Sequence, residues 1–432
     1  MKTIFTDITT MDEYGNAHTH RYVVVDGDKI AGIFDARPAG RFDREISGKN
    51  KLLMPALYNC HAHTAMTLFR GYGEDLPLQA WLNTRIFPAE DLLTSEAVYN
   101  ASMLAAAEML RNGIVSFSDM YFFSEDTIRA VAETGMKANI ARCITCFNPD
   151  ETKDTDARLI EALALHKQYH NSFGGRIKMD MSVHAEYTTL PHAVKYVAEA
   201  AKELGLHMHV HMSETESEHN ECMERNGGKT PAQHFAELGV FDVPTIAAHC
   251  VWVSDEDIAL MAEKGVFAVH NPVSNLKLGS GIMPLLKMHR AGVNVVLGTD
   301  GAASNNRLDI LRDMNVAALL EKGRDRVCDA MKAADIIPMA TVNGAKAQGR
   351  ADCGSLACGK KADLIMLDMD TPNNIPSYEP VTSVIYSATS ADVCMTMVDG
   401  KILYENGEYK TLDIESVKHR MRDTVAHYFD KK

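Results

Sequence analysis

The stretch LHMHVHMSETE, residues 206–216, shows both the kind of fold and the place of a site. It carries His207, His209 and His211 at alternate positions, and Glu214 follows three residues after the last. Alternate residues of a β-strand share one face, so the three imidazoles lie on the same side. A strand advances about 3.3 Å per residue, which puts His209 roughly 7 Å below His211 and His207 about twice as far. A metal–imidazole bond is only about 2.0–2.1 Å long, so one cation at the strand end reaches His211 alone.

Seven other short apolar runs accompany this strand, and longer amphipathic segments separate them. In chain order the eight runs are LLMPALYNC (52–60), IVSFSDM (114–120), KANIARCI (137–144), IKMDMSVHA (177–185), HMHVHMSE (207–214), TIAAHC (245–250), FAVHNP (267–272) and VNVVLGTD (293–300). Segments such as 95–113, 254–265 and 283–292 have a helical pattern and end in Gly, as helices often do. Eight repeats of strand and helix predict an α/β protein with a closed parallel (β/α)8 TIM barrel over residues 52–354.

The two flanks of the chain have a different pattern. Residues 1–51 contain two short apolar runs around a D-G-D turn. Residues 355–432 contain ADLIMLDMD, VTSVIYSA and VCMTMVDGKILYENGEY, which are typical of strands and hairpins, and then an amphipathic helical segment at 414–429. Since neither flank is long enough to fold well alone, we expect both to pair into one small β-sandwich domain beside the barrel.

Composition excludes several classes of partner. The 432 residues have a net charge of −14, and such a surface repels nucleic acid and anionic membranes. The chain has no apolar run of the roughly 20 residues needed to span a membrane, and its first residues lack a signal-peptide pattern, so we expect a cytoplasmic protein. Nine scattered cysteines indicate reduced thiols, and Cys143 and Cys146 fit a strand better than a zinc knuckle. Assembly into a homo-oligomer is compatible with a barrel, but the sequence has no interface signature.

The ends of the predicted strands carry chemistry. His61 and His63 end the first strand on one face and can chelate a divalent metal, and Asp300 ends the eighth as a candidate ligand and base. Glu214 can shuttle a proton between a metal-activated water and a substrate, whereas an ordinary loop carboxylate is the alternative. His249 ends the sixth strand.

The pattern indicates a single metal ion. His61, His63, His211 and Asp300 make up the shell of one cation with room for water, and His270 is interpreted as structural. A two-metal barrel would want a bridging carboxylate, often a carbamylated lysine, on its fourth strand. Here that strand ends in SVHAEY, without a lysine.

These motifs resemble the amidohydrolase superfamily. The resemblance rests on HAH in strand one, HMSE in strand five, AHC in strand six and GTDGAASNN in strand eight. The longer segment MPALYNCHAHTAMTLFRGYGEDLPLQAWLNTRIFPAE is similar to the branch that contains S-adenosylhomocysteine and methylthioadenosine deaminases, and HNPVSNLKLGSGIMP and GSLACGKKADLIMLD fit the same branch. The resemblance covers nearly the whole chain.

The resemblance implies a role for each matching residue. The metal ligands would be His61, His63, His211 and Asp300, usually to zinc and sometimes to iron, and Glu214 would transfer protons. His249 would orient the attacking hydroxide without ligating the metal. Residues that match substrate contacts are Trp81, which packs on the nucleoside, Glu90, which holds ribose hydroxyls, and His184, Arg142 and Arg158. The branch usually has Pro before the tyrosine of the strand-four motif, where this chain has Glu186.

The resulting hypothesis is hydrolytic deamination of an adenine nucleoside: S-adenosylhomocysteine, 5′-methylthioadenosine or adenosine. One alternative is a deaminase or chlorohydrolase of another nitrogen heterocycle, of guanine, triazine or pterin type. A second alternative is a metal-binding scaffold without turnover, which would need neither the acid Glu214 nor the base Asp300.

Overall fold

A computed structural model describes residues 1–429, and its central unit is a parallel barrel. Strands β6 to β13 neighbour each other in chain order in one eight-stranded parallel sheet. Their bounds are β6 (Leu57–Ala62), β7 (Ile114–Tyr121), β8 (Lys137–Arg142), β9 (Ile177–Ser182), β10 (Met208–Met212), β11 (Thr245–His249), β12 (Phe267–His270) and β13 (Asn294–Leu297). Each contains part of one of the eight apolar runs, so the predicted barrel is confirmed.

The first and last barrel strands meet through the residues that carry the site. The backbone N–H of Asp300 donates to the carbonyl of His61 at 2.9 Å, and the Asn59 side chain donates to the Thr299 hydroxyl at 2.7 Å. These contacts fix the end of strand eight against the end of strand one.

Helices cover the outside of the barrel and fill its loops. The helices up to β10 are α1 (Leu78–Trp81), α2 (Phe87–Glu90), α3 (Ser95–Arg111), α4 (Ser124–Thr134), α5 (Ala157–Tyr169), α6 (Ser172–Gly175) and α7 (Pro191–Leu204). The later ones are α8 (Glu216–Arg225), α9 (Pro231–Glu237), α10 (Asp255–Lys264), α11 (Pro272–Lys277), α12 (Leu285–Arg290), α13 (Ala302–Asn305), α14 (Ile310–Asp325), α15 (Ala333–Ala340), α16 (Val342–Ala347), α17 (Pro380–Tyr386) and α18 (Ile414–Phe429). Short 3-10 segments are Thr64–Phe69, Val240–Asp242 and Ser390–Asp392, and Leu82–Ile86 is a π-helical turn.

The helix ends follow the local sequence. The Thr94 side chain accepts from the Ala97 N–H at the start of α3, and the Ser254 and Asp257 pair forms a capping box at the start of α10. Gly265 closes α10 with a φ of 67°, a left-handed conformation that glycine adopts without steric cost. None of the helices in the described residues is both long and apolar enough to cross a membrane.

Both termini of the chain build a second sheet. Its nine strands are β1 (Lys2–Met11), β2 (Ala17–Asp26), β3 (Lys29–Phe34), β4 (Arg44–Ser47), β5 (Lys51–Pro55), β14 (Leu364–Asp368), β15 (Val393–Val398), β16 (Lys401–Glu405) and β17 (Glu408–Tyr409). The two halves join where β5 pairs antiparallel with β14, and strands from both halves enclose one apolar cluster that includes Phe5, Val23 and Met395. The small β-domain predicted from the flanks is thus present.

Two details differ from the sequence prediction. The first apolar run is divided, because Lys51–Pro55 pairs within the terminal sheet and only the part from Leu57 onward enters the barrel. The run VTSVIYSA was predicted as a strand, and that prediction is wrong, because Pro380–Tyr386 forms α17. Pro380 stands in the first turn, where its fixed φ suits a helix, and Ser383, Val384 and Ile385 become buried in α17, which packs against α14 and α15.

Candidate active site

Four of the predicted site residues converge at the carboxyl end of the barrel. His61 lies on β6, His63 directly follows it, His211 lies on β10, and Asp300 follows β13. Asp300 Oδ1 is 3.4 Å from His61 Nε2 and 3.3 Å from His63 Nε2, and His63 Nε2 is 3.3 Å from His211 Nε2. The active-site chemistry of barrels is held at this edge of the strands.

The Nδ1 atoms of His63 and His211 are each fixed by a backbone carbonyl. His63 Nδ1 donates to the Met120 carbonyl at 2.5 Å, and His211 Nδ1 donates to the His184 carbonyl at 2.7 Å. Although burial opposes protonation, the Asp300 carboxylate raises the pKa of His63 to about 9, and a bound cation would take the place of that proton. With both rings neutral, each carries its one proton on Nδ1, and the two Nε2 atoms present lone pairs to each other. Two lone pairs 3.3 Å apart repel unless a positive charge lies between them.

His61 completes the set of nitrogen donors. Its Nδ1 is 2.9 Å from His209 Nε2, and its Nε2 is buried without a hydrogen bond of normal geometry. Burial lowers the pKa of His61 to about 3, so the ring is neutral and able to act as a ligand. His209 is therefore a contact of the cluster, although it lies below the strand end, where the spacing along β10 put it out of reach of the cation.

Asp300 supplies the negative charge of the cluster. Its Oδ2 accepts hydrogen bonds from the hydroxyls of Ser274 at 2.6 Å and Ser304 at 2.8 Å, and its Oδ1 points towards the imidazoles. Although burial opposes ionisation, the adjacent His61 and His63 rings hold the pKa of Asp300 well below its usual range. The carboxylate is thus ionised and oriented.

Glu214 and His249 lie beside the cluster. Glu214 Oε2 is 3.8 Å from His249 Nε2, and its Oε1 accepts from the Ser280 hydroxyl at 3.2 Å. Burial raises the pKa of Glu214 above its usual value, which makes a proton available for transfer. His249 Nδ1 is 2.8 Å from the Asn275 amide oxygen, so Nδ1 donates there and Nε2 faces the cavity.

A second glutamate holds the loop that carries Glu214. The Glu218 carboxylate accepts the backbone N–H groups of Ser213 at 2.9 Å and Glu214 at 2.7 Å. Burial raises the pKa of Glu218 to about 7. The sequence analysis missed Glu218, although its place in the first turn of α8 is a position where carboxylates commonly cap a helix.

Several site residues have strained backbones. Ser213, His249 and Asp300 have φ values of 51°, 76° and 62°, in the left-handed region that non-glycine residues rarely adopt. Each stands at or just past the carboxyl end of a barrel strand. Such conformations persist where the surrounding structure enforces them, and they cluster at functional sites.

A cavity of about 620 Å³ opens above the cluster. His63, His211, Glu214, His249 and Asp300 lie in its lining. The other lining residues predicted from the sequence are Trp81, Glu90 and His184. Its size lies within the range of small-molecule sites.

Glu90 is placed in the cavity by a hydrogen bond. It ends α2, after the π-helical turn, and its Oε1 accepts from the Tyr121 hydroxyl at 2.5 Å. Burial raises the pKa of Glu90 to about 7, against the effect of this hydrogen bond. Helix α18 supports the segment, because the buried Tyr428 hydroxyl donates to the Ala89 carbonyl.

Three residues singled out from the sequence do not line the cavity. Arg142 pairs with Glu161, and Arg158 lies 3.4 Å from carboxylate oxygens of Glu151 and Asp156. Glu186 is buried and pairs with Arg225 at 2.5 Å, so its carboxylate faces neither the cavity nor solvent. The sequence predicted Cys143 and Cys146 on a strand, and that prediction is wrong, because β8 ends at Arg142 and both cysteines follow it. Both are buried free thiols.

The donor set fits a divalent cation. Imidazole nitrogens and a carboxylate oxygen are the ligand types that zinc and similar metals prefer. The ligand atoms of His61, His63 and His211 lie within 4.8 Å of one another, and so do those of His61, His249 and Asp300. The two groups share His61, and Asp300 Oδ1 also lies 3.3 Å from His63 Nε2. The fold and this cluster define a class: (β/α)8 barrels with a histidine–carboxylate metal site at the carboxyl edge of the strands.

Comparison with known proteins narrows the class to a family. The model of the amidohydrolase family matches residues 52–403, and the chain belongs to this family. The chain is 44% identical over 394 residues to the 5-methylthioadenosine/S-adenosylhomocysteine deaminase of Dictyoglomus thermophilum, with 91% of each chain covered. It is 41% identical over 394 residues to the 5′-deoxyadenosine deaminase of Methanothermobacter thermautotrophicus, with 90% of this chain and 91% of the relative covered.

A solved structure is similar over almost the full length. The zinc-bound adenosine deaminase from Xanthomonas campestris superimposes with a TM-score of 0.93 at 31% identity, covering 99% of this chain and 98% of that one. A zinc complex of atrazine chlorohydrolase from Arthrobacter aurescens has a TM-score of 0.91 at 21% identity, covering 98% of this chain and 100% of that one, and it shares the fold.

Proposed function

We propose that the chain is a hydrolytic deaminase of adenine nucleosides that works with one divalent metal, zinc before iron. The observation that carries the proposal is the set of facing Nε2 atoms beside Asp300, with Glu214 next to it in a small-molecule cavity. The deaminase names of relatives at 41–44% identity support the reaction, and the zinc-bound structure at 31% identity supports the metal.

The metal would be held by His61, His63, His211 and Asp300. When bound, a divalent cation lowers the pKa of an adjacent water from 15.7 towards about 7 and so supplies a nucleophile at neutral pH. Hydrogen bonds fix the Nδ1 atom of each of the three histidines. The side chains are therefore ordered, and their donor atoms aligned, before a metal binds.

Three side chains move or direct protons. Asp300 takes a proton from the attacking water, and His249 Nε2 directs that water, because its Nδ1 is fixed on Asn275. Glu214 protonates a ring nitrogen of the adenine, which makes the amino-bearing carbon open to attack. The carbon–oxygen bond forms, the carbon–nitrogen bond breaks, and ammonia leaves with a proton from the same groups, giving the inosine-type product.

The cavity wall would hold the nucleoside. Glu90 is ionised above a pKa of about 7 and can accept both ribose hydroxyls, while Tyr121 keeps it oriented. Trp81, buried in the wall, offers an aromatic surface for the nucleoside, and the His184 ring lies 4.7 Å from the His211 ring.

Replacement of the proposed acid tests the mechanism. Glu214→Gln keeps the shape and the Ser280 hydrogen-bond acceptor, so we expect it to retain bound metal but to lose turnover by about 10²–10⁴-fold. Ammonia release from adenosine, 5′-methylthioadenosine and S-adenosylhomocysteine measures the rate, and elemental analysis measures the metal. Glu216→Gln, an exposed glutamate two residues along, is the matched control. A near-normal rate in Glu214→Gln contradicts the assignment.

A variant of Glu90 distinguishes a nucleoside deaminase from a deaminase or hydrolase of another nitrogen heterocycle. A deaminase of guanine or a triazine hydrolase has no ribose to bind, so Glu90→Ala would leave its KM unchanged, whereas we expect a raised KM for adenine nucleosides. Guanosine and cytidine complete the substrate panel. Absence of ammonia from every substrate with a fully metal-loaded protein would favour the scaffold without turnover.

A further inference from the structure

The proposed acid Glu214 has a hydrogen-bond partner outside the lining of the cavity. Its Oε1 accepts from the hydroxyl of Ser280 at 3.2 Å, and this serine is only 4% exposed. Within residues 1–429, the residues that line the cavity include Glu214 and do not include Ser280. The serine therefore contacts the acid and not the substrate, and any effect that it has on the reaction passes through Glu214.

The Ser280 hydroxyl determines which oxygen of Glu214 carries the proton of the acid form. A protonated carboxyl group has its hydrogen on one oxygen, and the other oxygen only accepts. Among residues 1–429, Ser280 Oγ has no hydrogen-bond partner other than Glu214 Oε1. A proton on Oε1 would leave the buried hydroxyl hydrogen without an acceptor, which is costly. The proton therefore lies on Oε2, the oxygen that is 3.8 Å from His249 Nε2, and both residues line the cavity.

Trp252 connects the loop of Ser280 with the loop of Glu214. Its indole Nε1 donates to the Ser280 carbonyl at 2.7 Å. Its backbone N–H donates to the Ser213 carbonyl at 2.9 Å, and Ser213 immediately precedes Glu214. One residue thus fixes both the backbone beside the acid and the backbone of the serine that holds the side chain of the acid.

The turn that ends at Ser280 also contacts the second residue that handles protons. The Ser280 N–H donates to the Asn275 carbonyl at 2.8 Å. The Asn275 amide oxygen accepts from His249 Nδ1 at 2.8 Å. This turn therefore holds the side chains of both His249 and Glu214, and Trp252 fixes its last residue.

The indole N–H is the part of Trp252 that matters for this contact. In the described part of the chain, Trp252 does not line the cavity, and its side chain is 37% exposed. A tryptophan N–H usually finds a hydrogen-bond partner when it is buried, and here that partner is a carbonyl of the turn. The side chain can therefore influence the reaction only through the position of Ser280.

We propose that Ser280 and Trp252 are positioning residues for proton transfer by Glu214. Ser280 keeps the transferable proton on Oε2, and Trp252 holds Ser280 in the place where it can do so. This inference rests on the proposed deamination of adenine nucleosides, because a ring nitrogen of the adenine is the group that Oε2 protonates. Since neither side chain touches the cavity, both affect the rate of the chemical step and leave substrate binding unchanged.

Two single substitutions test the proposal with the metal-loaded enzyme and 5′-methylthioadenosine. Ser280→Ala removes the hydroxyl, and Trp252→Phe keeps an aromatic ring but removes the indole N–H. We expect each to lower the single-turnover rate about tenfold, because the acid loses its hydrogen bond or its alignment. KM and metal content should stay within about twofold of the wild type, as for a loss confined to the chemical step. A wild-type rate in Ser280→Ala, or a loss that appears in KM alone, would overturn the proposal.

Ser390→Ala is the matched control. Ser390 also donates its hydroxyl to a carboxylate, that of Asp309, which caps α14 and does not line the cavity. Its replacement should leave both the single-turnover rate and KM as in the wild type. Thermal unfolding of all variants measures their stability separately from the rate.

A double variant shows whether Trp252 acts through Ser280. Once the hydroxyl is absent, the indole N–H has nothing left to position, so adding Trp252→Phe to Ser280→Ala should change the rate by less than about twofold. Losses that multiply, to about a hundredfold in the double variant, would show that the two side chains act independently and would overturn the role given to Trp252. If Trp252→Phe yields no folded protein, Ser280→Ala, which removes a single oxygen atom, still decides the role of the serine.

Failure of the underlying function looks different. If the deamination itself is wrong, the wild-type enzyme releases no ammonia from adenosine, 5′-methylthioadenosine or S-adenosylhomocysteine. If only the positioning role is wrong, the wild-type enzyme is active and Ser280→Ala reacts at the same rate.

Discussion

At the scale of single residues, the cluster depends on the different contacts of the two nitrogens of each imidazole: Nδ1 makes a hydrogen bond, and Nε2 faces the cluster. The Nδ1 atoms of His63 and His211 are fixed on backbone carbonyls and that of His61 on His209. The Nε2 atoms of His61 and His63 therefore face Asp300, and that of His211 faces His63. Backbone acceptors cannot be read from a sequence, so the four donors were predictable but their orientation was not. The same holds for His209. Strand spacing correctly predicted its position below the cluster, but it did not predict its contact with His61.

One glycine is expected to control the position of His61. A Cβ added at Gly298 would lie 2.9 Å from the His61 Cβ, 2.8 Å from Val269 Cγ1 and 2.4 Å from the Asn271 amide oxygen. Gly298→Ala should therefore displace the ligand and reduce metal affinity, by about 10–100-fold if it acts as loss of an orienting contact does. Metal retained after dialysis against a graded chelator measures this directly, without an assay of activity.

Gly323→Ala is the matched control for that prediction. Gly323 lies in α14, its φ is not positive, and nothing stands within 4 Å of an added Cβ. The same change there should leave metal binding as in the wild type. If Gly298→Ala also binds metal normally, the cluster tolerates movement of His61 and the account of a fixed donor set is wrong.

At the scale of elements, strand–helix alternation and strand ends were predictable because both follow from local pattern. Apolar runs of six to nine residues between helical segments located all eight barrel strands, and the carboxyl-end rule located the cluster. The division of residues 51–62 between two sheets was not predictable, since both β5 and β6 are buried and apolar. The same holds for α17, whose β-branched residues resemble a strand and form a helix through tertiary packing.

The cavity wall that would hold the substrate is the part of the site that the sequence predicted least well. A family motif indicated Trp81 and Glu90, but the π-helical turn Leu82–Ile86 between them has no sequence signature that we could use. Arg142 and Arg158 matched the family pattern by position, yet acidic neighbours decide where their side chains lie. Long side chains choose among partners that are distant in sequence, and position alone does not fix that choice.

At the scale of the whole molecule, a buried charge connects the barrel to the terminal sheet. Lys137 opens β8, and its Nζ lies 2.6 Å from Asp363 Oδ2 and 2.9 Å from Asp399 Oδ1. Asp363 immediately precedes β14, and its carboxylate also accepts the Tyr58 hydroxyl from β6 at 2.7 Å and the Asp399 N–H at 2.9 Å. Residues of both units thus share one fully buried carboxylate.

Removal of the lysine should destabilise the molecule in a pH-dependent manner. Lys137→Met leaves Asp363 buried without its cation, and loss of one partner of a buried pair costs about 3–5 kcal/mol.

The pH dependence follows from the pKa values of the two groups. Although burial opposes ionisation, Lys137 and the hydrogen bonds lower the folded-state pKa of Asp363. Its stabilising contribution is therefore present above the unfolded pKa of about 3.9 and is lost as the pH falls through the folded value. Despite burial, Asp363 and Asp399 raise the pKa of Lys137, so its contribution is present below the unfolded pKa of about 10.4. The difference between the variant and the wild type should therefore be large at pH 7. In the variant the cation is gone and burial raises the pKa of Asp363, so the carboxyl group takes up a proton towards pH 4 and the difference becomes smaller there. Thermal unfolding at pH 7 and pH 4 measures the two differences in Tm, with Lys202→Met, from an exposed pair with Asp242, as the control. A Tm difference that stays constant down to pH 4 would show that the methionine acts through packing and not through the charge on Asp363.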